Sequence, residues 1–480
     1  MMTGNEYRES LRKLKPVIYF EGKRITVDDP MIAPHVNAAA MTYDAAHDAL
    51  TEDLATATSH ISGEKINRWT HIHQSQEDLV KKVKLLRMVA QRTGSCFQRC
   101  VGWDALNALY STTYDMDQKL GTDYHQRFVK YLEYVQKSDI MVAGAMTDPK
   151  GDRGLAPSQQ ADPDLFVHIT ERREDGIVIR GAKMHMTGMV NSHEMLIMPT
   201  AAMKEEDRDY AVSCAIPVDA PGVTHVFGRQ TNDDRKKCKM DQGNCMYGIV
   251  GGEAITILED VFVPWDKVFM AGEYEFSGSL VERFATLHRQ NYGGCKSGVS
   301  DVVTGASAAM AEYNGAGKAS HIKDKLIEMM HLTESLYCCS VACSAEGGKL
   351  PSGAYYPDPM LGNIVKQNVT RNIYEIDRLS HDIAGGLIAT LPSEQDFEDP
   401  EIGGKLKKYL AGKADYPVED RYRMARLLEN MTGGTALVES MHGAGSPQAQ
   451  RIMMYRMGNL PMKVKLAQDL AGIDREKEKK

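Results

Sequence analysis

The chain has 480 residues, too many for one small core, so two or three packed domains are expected. Hydrophobic residues at 42% and charged residues at 25% make an ordinary globular composition. A net charge of −8 argues against nucleic acid as the main partner, because phosphate binding needs a basic face, but leaves room for a local basic pocket that receives an anionic substrate.

The first residues, Met1-Met2-Thr3-Gly4-Asn5-Glu6, have no apolar signal core, and no later apolar run reaches the length of a membrane span. A cytoplasmic protein with no membrane partner is expected. Residues 1–139 read as a mostly helical domain. A hairpin is expected near Val17 to Val27, turning at Glu21-Gly22-Lys23. Gln76 to Arg92 reads as an amphipathic helix with Leu79, Val83, Leu86 and Ala90 on one face. Helical character resumes from Cys96 to Tyr110 after Gly94, and again from Tyr124 to Val135.

Residues 140–272 change character. Runs rich in Val, Ile and Thr alternate with turns: Leu165 to Glu171, Gly176 to Met186, Met195 to Thr200, Tyr210 to Val218 and Ala254 to Val263. Glu174-Asp175-Gly176 supplies a hairpin turn. This predicts a compact, β-barrel-like domain. Residues 273–480 turn helical again, over Phe276 to Tyr313, Ser320 to Glu346, Met360 to Ala384, Val418 to Met431 and Pro447 to Ala471, as in a helical bundle. The charged tail Asp474 to Lys480 is expected to fray. The fold class is therefore α+β: an N-terminal helical domain, a middle β domain and a C-terminal bundle. That order is similar to the acyl-CoA dehydrogenase architecture, where flavin lies between the β domain and the bundle.

The 28 methionines read first as flexible core packing. Nine cysteines in a cytoplasmic chain are better read as metal ligands, redox groups or core residues than as disulfides. Cys96 and Cys100, spaced i, i+4, share one face if a helix carries both. His288 and Cys295, spaced i, i+7, do the same if a helix runs through Gly293-Gly294, where a break or a close approach is expected. Thiolates and imidazole suit iron or zinc. Cys339 and Cys343, beside Cys338, have the same spacing, and Cys238 and Cys245 in the loop Asp233 to Gly248 suit a zinc knuckle. Residue counting leaves the choice among these groups open. No ferredoxin-like cysteine run is present, so a cluster would be assembled from distant segments.

Several segments together resemble the flavin-dependent 4-hydroxyphenylacetate 3-hydroxylase family. They are Met146-Thr147-Asp148-Pro149-Lys150-Gly151-Asp152-Arg153, Gly181-Ala182-Lys183-Met184-His185-Met186-Thr187-Gly188, Ala384-Gly385-Gly386-Leu387 with Pro392-Ser393, and His442-Gly443-Ala444-Gly445-Ser446-Pro447. The resemblance covers nearly the whole chain. Two further segments resemble the family's cluster-bearing dehydratase branch: Gly94-Ser95-Cys96-Phe97-Gln98-Arg99-Cys100 and His288-Arg289-Gln290-Asn291-Tyr292-Gly293-Gly294-Cys295-Lys296. The hydroxylases of the family have no cluster.

The resemblance implies FAD, held by the loop of Met146, Thr147, Asp148, Lys150, Asp152 and Arg153, by Thr187, and by Gly385 and Gly386, which reach the flavin of a neighbouring subunit. It implies a [4Fe-4S] cluster on Cys96, Cys100, His288 and Cys295, and a homotetramer. It returns Cys238, Cys245, Cys338, Cys339 and Cys343 to core or loop roles. The absence of a GxGxxG segment after a strand argues against a Rossmann site.

The implied substrate is an acyl-CoA. The resemblance implies dehydration of 4-hydroxybutyryl-CoA to crotonyl-CoA, with isomerisation of vinylacetyl-CoA as a companion activity. The hydrogen at C3 is not next to the thioester carbonyl, so no ordinary base removes it as a proton. A radical route solves this. A base takes the C2 proton, FAD removes one electron from the enolate, C3 becomes acidic, the hydroxyl leaves and the electron returns. A cluster with one histidine ligand would leave an iron accessible, and that iron would supply a Lewis acid for the departing hydroxyl. His288 is either a ligand alone or also the base. Glu253, Glu439 and Tyr292 are further acid–base candidates, and Lys296 would stabilise an enolate. The alternatives are a cluster-containing vinylacetyl-CoA isomerase without dehydration, a flavin-dependent aromatic hydroxylase without iron, and a non-catalytic bundle protein with structural zinc.

Overall fold

The computed structural model describes residues 1–230, 235, 239–243 and 246–473. The front of the chain forms α1 (Gly4–Arg12), β1 (Ile18–Phe20), β2 (Lys23–Ile25), α2 (Ala33–Asp44), α3 (Glu52–Ala55), β3 (Thr56–Thr58), β4 (Lys65–Asn67), α4 (Gln76–Thr93), α5 (Arg99–Leu120) and α6 (Tyr124–Ser138). The expected hairpin is β1–β2, with Ile18 opposite Ile25 and a turn in which Glu21 and Gly22 both have positive φ. In α4 the Ser75 hydroxyl accepts from the Asp78 amide, and Gly94 closes the helix in the left-handed conformation. Leu79, Val83, Leu86 and Ala90 are buried as their spacing predicts, but Lys82 is buried beside them.

One expectation fails here. The helix after Gly94 does not include Cys96. Gln98 has φ of 70°, and α5 begins at Arg99. The chain must reverse after α4, so Cys96 lies in the connecting turn and only Cys100 stands on the helix. The two thiols do not share a helical face.

The middle strands are β5 (Val142–Ala145), β6 (His168–Arg172), β7 (Gly176–Met186), β8 (Glu194–Ile197), β9 (Val212–Pro217), β10 (Val223–Phe227), β11 (Ala254–Pro264) and β12 (Val268–Ala271). They form two open sheets rather than a closed barrel. One has the order β2-β1-β10-β11-β7-β6 and borrows the front hairpin; the other has the order β12-β9-β8-β5. The outer strands differ in their surroundings: β2 and most of β6 are exposed and charged, as suits open edges, whereas β12 contacts α6 and β5 contacts α5. The turn at Glu174 to Gly176 joins β6 to β7 as expected.

The rest forms α7 (Ser277–Tyr313), α8 (Ser320–Ala345), β13 (Gly348–Lys349), β14 (Tyr355–Tyr356), α9 (Pro359–Ala384), α10 (Glu394–Glu398), α11 (Gly403–Tyr409), α12 (Val418–Met431), α13 (Gly434–His442), α14 (Pro447–Met457) and α15 (Leu460–Leu470). The long helices α7, α8 and α9 pack on one another, and α4 lies along α7. Gly293 and Gly294 do not break α7. A β-carbon at Gly293 would stand 2.8 Å from the Leu336 carbonyl oxygen of α8, and one at Gly294 2.6 Å from the Val83 carbonyl oxygen of α4. They are points of close helix approach. The expected single segment Pro447 to Ala471 is two helices, divided at Gly458 and at Asn459, whose side chain caps α15. The tail beyond Ile473 and the residues Cys238 and Cys245 lie outside the described residues. No described helix is long and apolar enough to cross a membrane.

Candidate active site

Five elements bring the central side chains together. The turn before α5 carries Cys96, and the first turn of α5 carries Cys100. The middle of α7 presents His288, Tyr292, Cys295 and Lys296. Glu253 directly precedes β11, Thr187 follows β7, and α13 supplies Glu439. The charge of Cys100 is felt against both Cys96 and Cys295, and Cys96 is also influenced by Glu439, Lys296 and Glu253. Burial pushes all three thiols up, Cys295 to about 12. Among the described residues no three His, Cys, Asp or Glu side chains close around a single metal ion.

His288 is fixed from behind. Its Nδ1 lies 2.8 Å from Oδ2 of Asp104, and Lys82 donates to Oδ1 of Asp104 at 2.6 Å. A carboxylate only accepts, so the ring carries its proton on Nδ1 and leaves Nε2 as the open nitrogen. Asn291 also donates to Asp104, and Phe284 stacks on the imidazole at 5.6 Å. Asp104 and Lys82 are fully buried.

A second network lies one turn along α7. Tyr292 donates to Oε1 of Glu439 at 3.0 Å, and Lys296 pairs with Oε2. Burial works against the Glu439 anion, but Lys296, Lys366 and Tyr292 outweigh it and hold its pKa below the usual value. Glu253 goes the other way. Loss of hydration, with the Glu439 charge adding to it, pushes its carboxyl up to about 8, although Thr187 and Lys296 oppose the shift. The Thr187 hydroxyl lies 2.8 Å from Oε1 of Glu253. Two carboxyl groups in one site are thus driven to opposite protonation states at neutral pH.

The remaining candidates are more dispersed. Asp148 is buried and bonded to Lys183 at 2.9 Å, with the Val167 amide donating to the same oxygen. Met146 and Thr147 are half-buried, and Lys150, Asp152 and Arg153 are exposed. Gly385 and Gly386 are exposed at the end of α9, and a β-carbon on either would stand in open space, clear of all but its immediate chain neighbours. Cys343 is buried with its thiol on the Asp358 carbonyl, Cys339 is half-buried and Cys338 is exposed.

Sequence reading missed Lys82, Asp104, Arg289 and Lys366. Lys82 and Lys366 stand inside apolar stripes, beside Leu79 and Val83 and beside Val365 and Val369, where a lysine needs a partner. That was the available signal.

Helical bundle, paired open sheets and a buried site between them agree with one known class. Residues 3–270 match the 4-hydroxyphenylacetate 3-hydroxylase N-terminal domain, and residues 277–472 match the C-terminal domain. The chain belongs to the 4-hydroxyphenylacetate 3-hydroxylase family. Within it, the chain is 55% identical to the 4-hydroxybutyryl-CoA dehydratase/vinylacetyl-CoA-Delta-isomerase of Clostridium aminobutyricum, over 98% of this chain and 100% of that one. It also matches the structure of an oxygen-tolerant archaeal 4-hydroxybutyryl-CoA dehydratase from N. maritimus, with a TM-score of 0.96, 52% identity and coverage of 98% and 95%. The oxygenase component HpaB of 4-hydroxyphenylacetate 3-monooxygenase, complexed with FAD, shares the fold at a TM-score of 0.87, with 24% identity and 98% of each chain covered.

Proposed function

We propose that this protein dehydrates 4-hydroxybutyryl-CoA to crotonyl-CoA and isomerises vinylacetyl-CoA, using FAD and a [4Fe-4S] cluster. The observation that carries the reading is the closeness of Cys96 to Cys295, Cys100 and two oppositely tuned carboxyl groups, with His288 held by Asp104, whose charge also reaches Cys100, in a chain 55% identical to a dehydratase/isomerase. The donor set fits a cluster. Three soft thiols and an imidazole oriented by a buried carboxylate are suitable iron ligands, and the corners of a cluster do not converge on one point. Thiols pushed up by burial also need a cationic partner to ionise. FAD would lie along the loop Met146 to Arg153 and Thr187, with Gly385 and Gly386 serving a neighbouring subunit.

When bound, FAD supplies one-electron chemistry and the cluster a Lewis-acidic iron. The chain's own residues do the rest. Lys296, anchored by Glu439, turns its remaining N–H donors toward the thioester oxygen and acidifies C2. His288 acts only through Nε2, toward iron or toward the C2 proton. Glu253, protonated at neutral pH, gives its proton to the departing hydroxyl. C2 and C3 each lose a hydrogen, C4 loses its hydroxyl and gains a hydrogen, and one water leaves.

Self-association, proposed as a homotetramer, is supported only to the extent that α15 leaves the apolar side chains Val464, Leu466 and Leu470 exposed. The free thiols of the described residues suit a reducing, cytoplasmic setting. The test is an anaerobic assay of both thioesters. Crotonyl-CoA from each supports the reading; isomerisation without dehydration reduces it to an isomerase, and oxygen consumption with reduced flavin replaces it with a hydroxylase.

A further inference from the structure

Glu439 rides on a short and lightly packed helix. In α13 only Ser440 is buried, and Val438 is more than half exposed. Something else must hold the carboxylate against Tyr292 and Lys296. The last carbonyls of a helix have no amide of their own helix to bond. In α13 two of these, on Ser440 and Met441, are taken by the ammonium of Lys366 on α9, the second at 3.3 Å. The same ammonium lies 4.1 Å from the centre of the Tyr292 ring. A cation at the negative end of a helix, over an aromatic face, is favourable on both counts. Lys366 has no exposed surface, and burial lowers the pKa of its amine while the Glu439 charge opposes the shift and favours the ammonium. Such a group is costly to keep inside a protein unless its position is useful.

Two further contacts act on the same segment. Arg289 donates to the Ala444 carbonyl at 3.0 Å, and a β-carbon on Gly443 would collide with the Tyr292 hydroxyl. We propose that Lys366 is a positioning residue for Glu439: by tying the end of α13 to α9 and backing the Tyr292 ring, it aims the Glu439 carboxylate at Tyr292 and Lys296. The inference rests on the dehydratase reading, since it assigns Lys366 to that reaction. It names no contact with substrate.

The test compares the anaerobically purified holoenzyme with Lys366→Met, Glu439→Gln and the double variant, on 4-hydroxybutyryl-CoA. Lys366→Met is expected to keep the iron and FAD content and the KM of the parent, with kcat falling by about ten- to a hundredfold, the scale of a small misplacement at a reacting centre. In the double variant kcat should fall no further than in Glu439→Gln alone. Lys366→Gln, which retains one carbonyl donor, should lie between parent and Lys366→Met. Unchanged kcat in Lys366→Met, or losses that multiply in the double variant, would overturn the proposal. So would loss of iron or FAD from both Lys366 variants, which would make Lys366 a fold residue. A parent enzyme inactive on this thioester would instead overturn the dehydratase reading.

Discussion

Asp104 on α5 accepts a hydrogen bond from His288 on α7 at 2.8 Å, and it does so from a place with no exposure to water. Lys82 on α4 neutralises the same carboxylate from the other side. Three helices therefore converge to set which nitrogen of one imidazole is open. Asp104→Asn retains the shape but removes the charge and can present its amide to the ring. It also leaves Lys82 buried without an anion. Iron content or dehydration rate should fall by about 10- to 100-fold, read by iron analysis and anaerobic assay of one preparation.

The Glu253 carboxyl is pushed up to about 8, which suits the acid role proposed for it. An acid must hold its proton, so the active form is present below that value, and kcat should decline as pH rises through about 8. Glu253→Gln should abolish this limb and lower dehydration by about 10²- to 10⁴-fold. Isomerisation has no departing hydroxyl and should suffer less. A pH profile of kcat for both substrates checks this. A decline that persists in Glu253→Gln would assign it to another group.

Gly443 has no side chain because the Tyr292 hydroxyl occupies the space where one would begin. Gly443→Ala should push Tyr292 away from Glu439 and reduce kcat by about ten- to a hundredfold while FAD and iron are retained. Tyr292→Phe should produce a similar loss, and the two together little more, as measured by a double-mutant cycle.

Cys96→Ala should lose iron and activity together. Cys343→Ala should leave both largely intact, at a stability loss of about 1 kcal/mol for a small core truncation. Iron analysis and thermal unfolding of the two variants make the comparison.

Much of the fold was legible because helix periodicity and turn chemistry are local. The apolar stripe of α4, the β1–β2 turn at Glu21 and Gly22, and the hairpin at Glu174 to Gly176 stand where the sequence predicts them. The turn that carries Cys96 was not legible. Its left-handed Gln98 is imposed by the need to reverse the chain and by Asn191, which donates to the Gln98 side chain from far along the sequence. The open sheets were misread as barrel-like because strand patterns do not report strand order or whether the outer strands pair with each other. Within the site, cysteines, histidine and carboxyl groups could be proposed from residue type and resemblance. Asp104 could not, since it acts across a helix interface on a residue 184 positions away; for Lys366 the apolar stripe around it signals a buried lysine but not its partner, 74 positions away.

Everything proposed for the reaction depends on FAD and an iron–sulfur cluster occupying this site. Purifying the protein without exposure to oxygen, measuring iron, acid-labile sulfide and released flavin, and recording the visible spectrum tests that occupancy directly. About four irons and about four sulfides per chain, with one FAD, are expected. Protein never exposed to air that contains flavin but no iron would contradict the proposal.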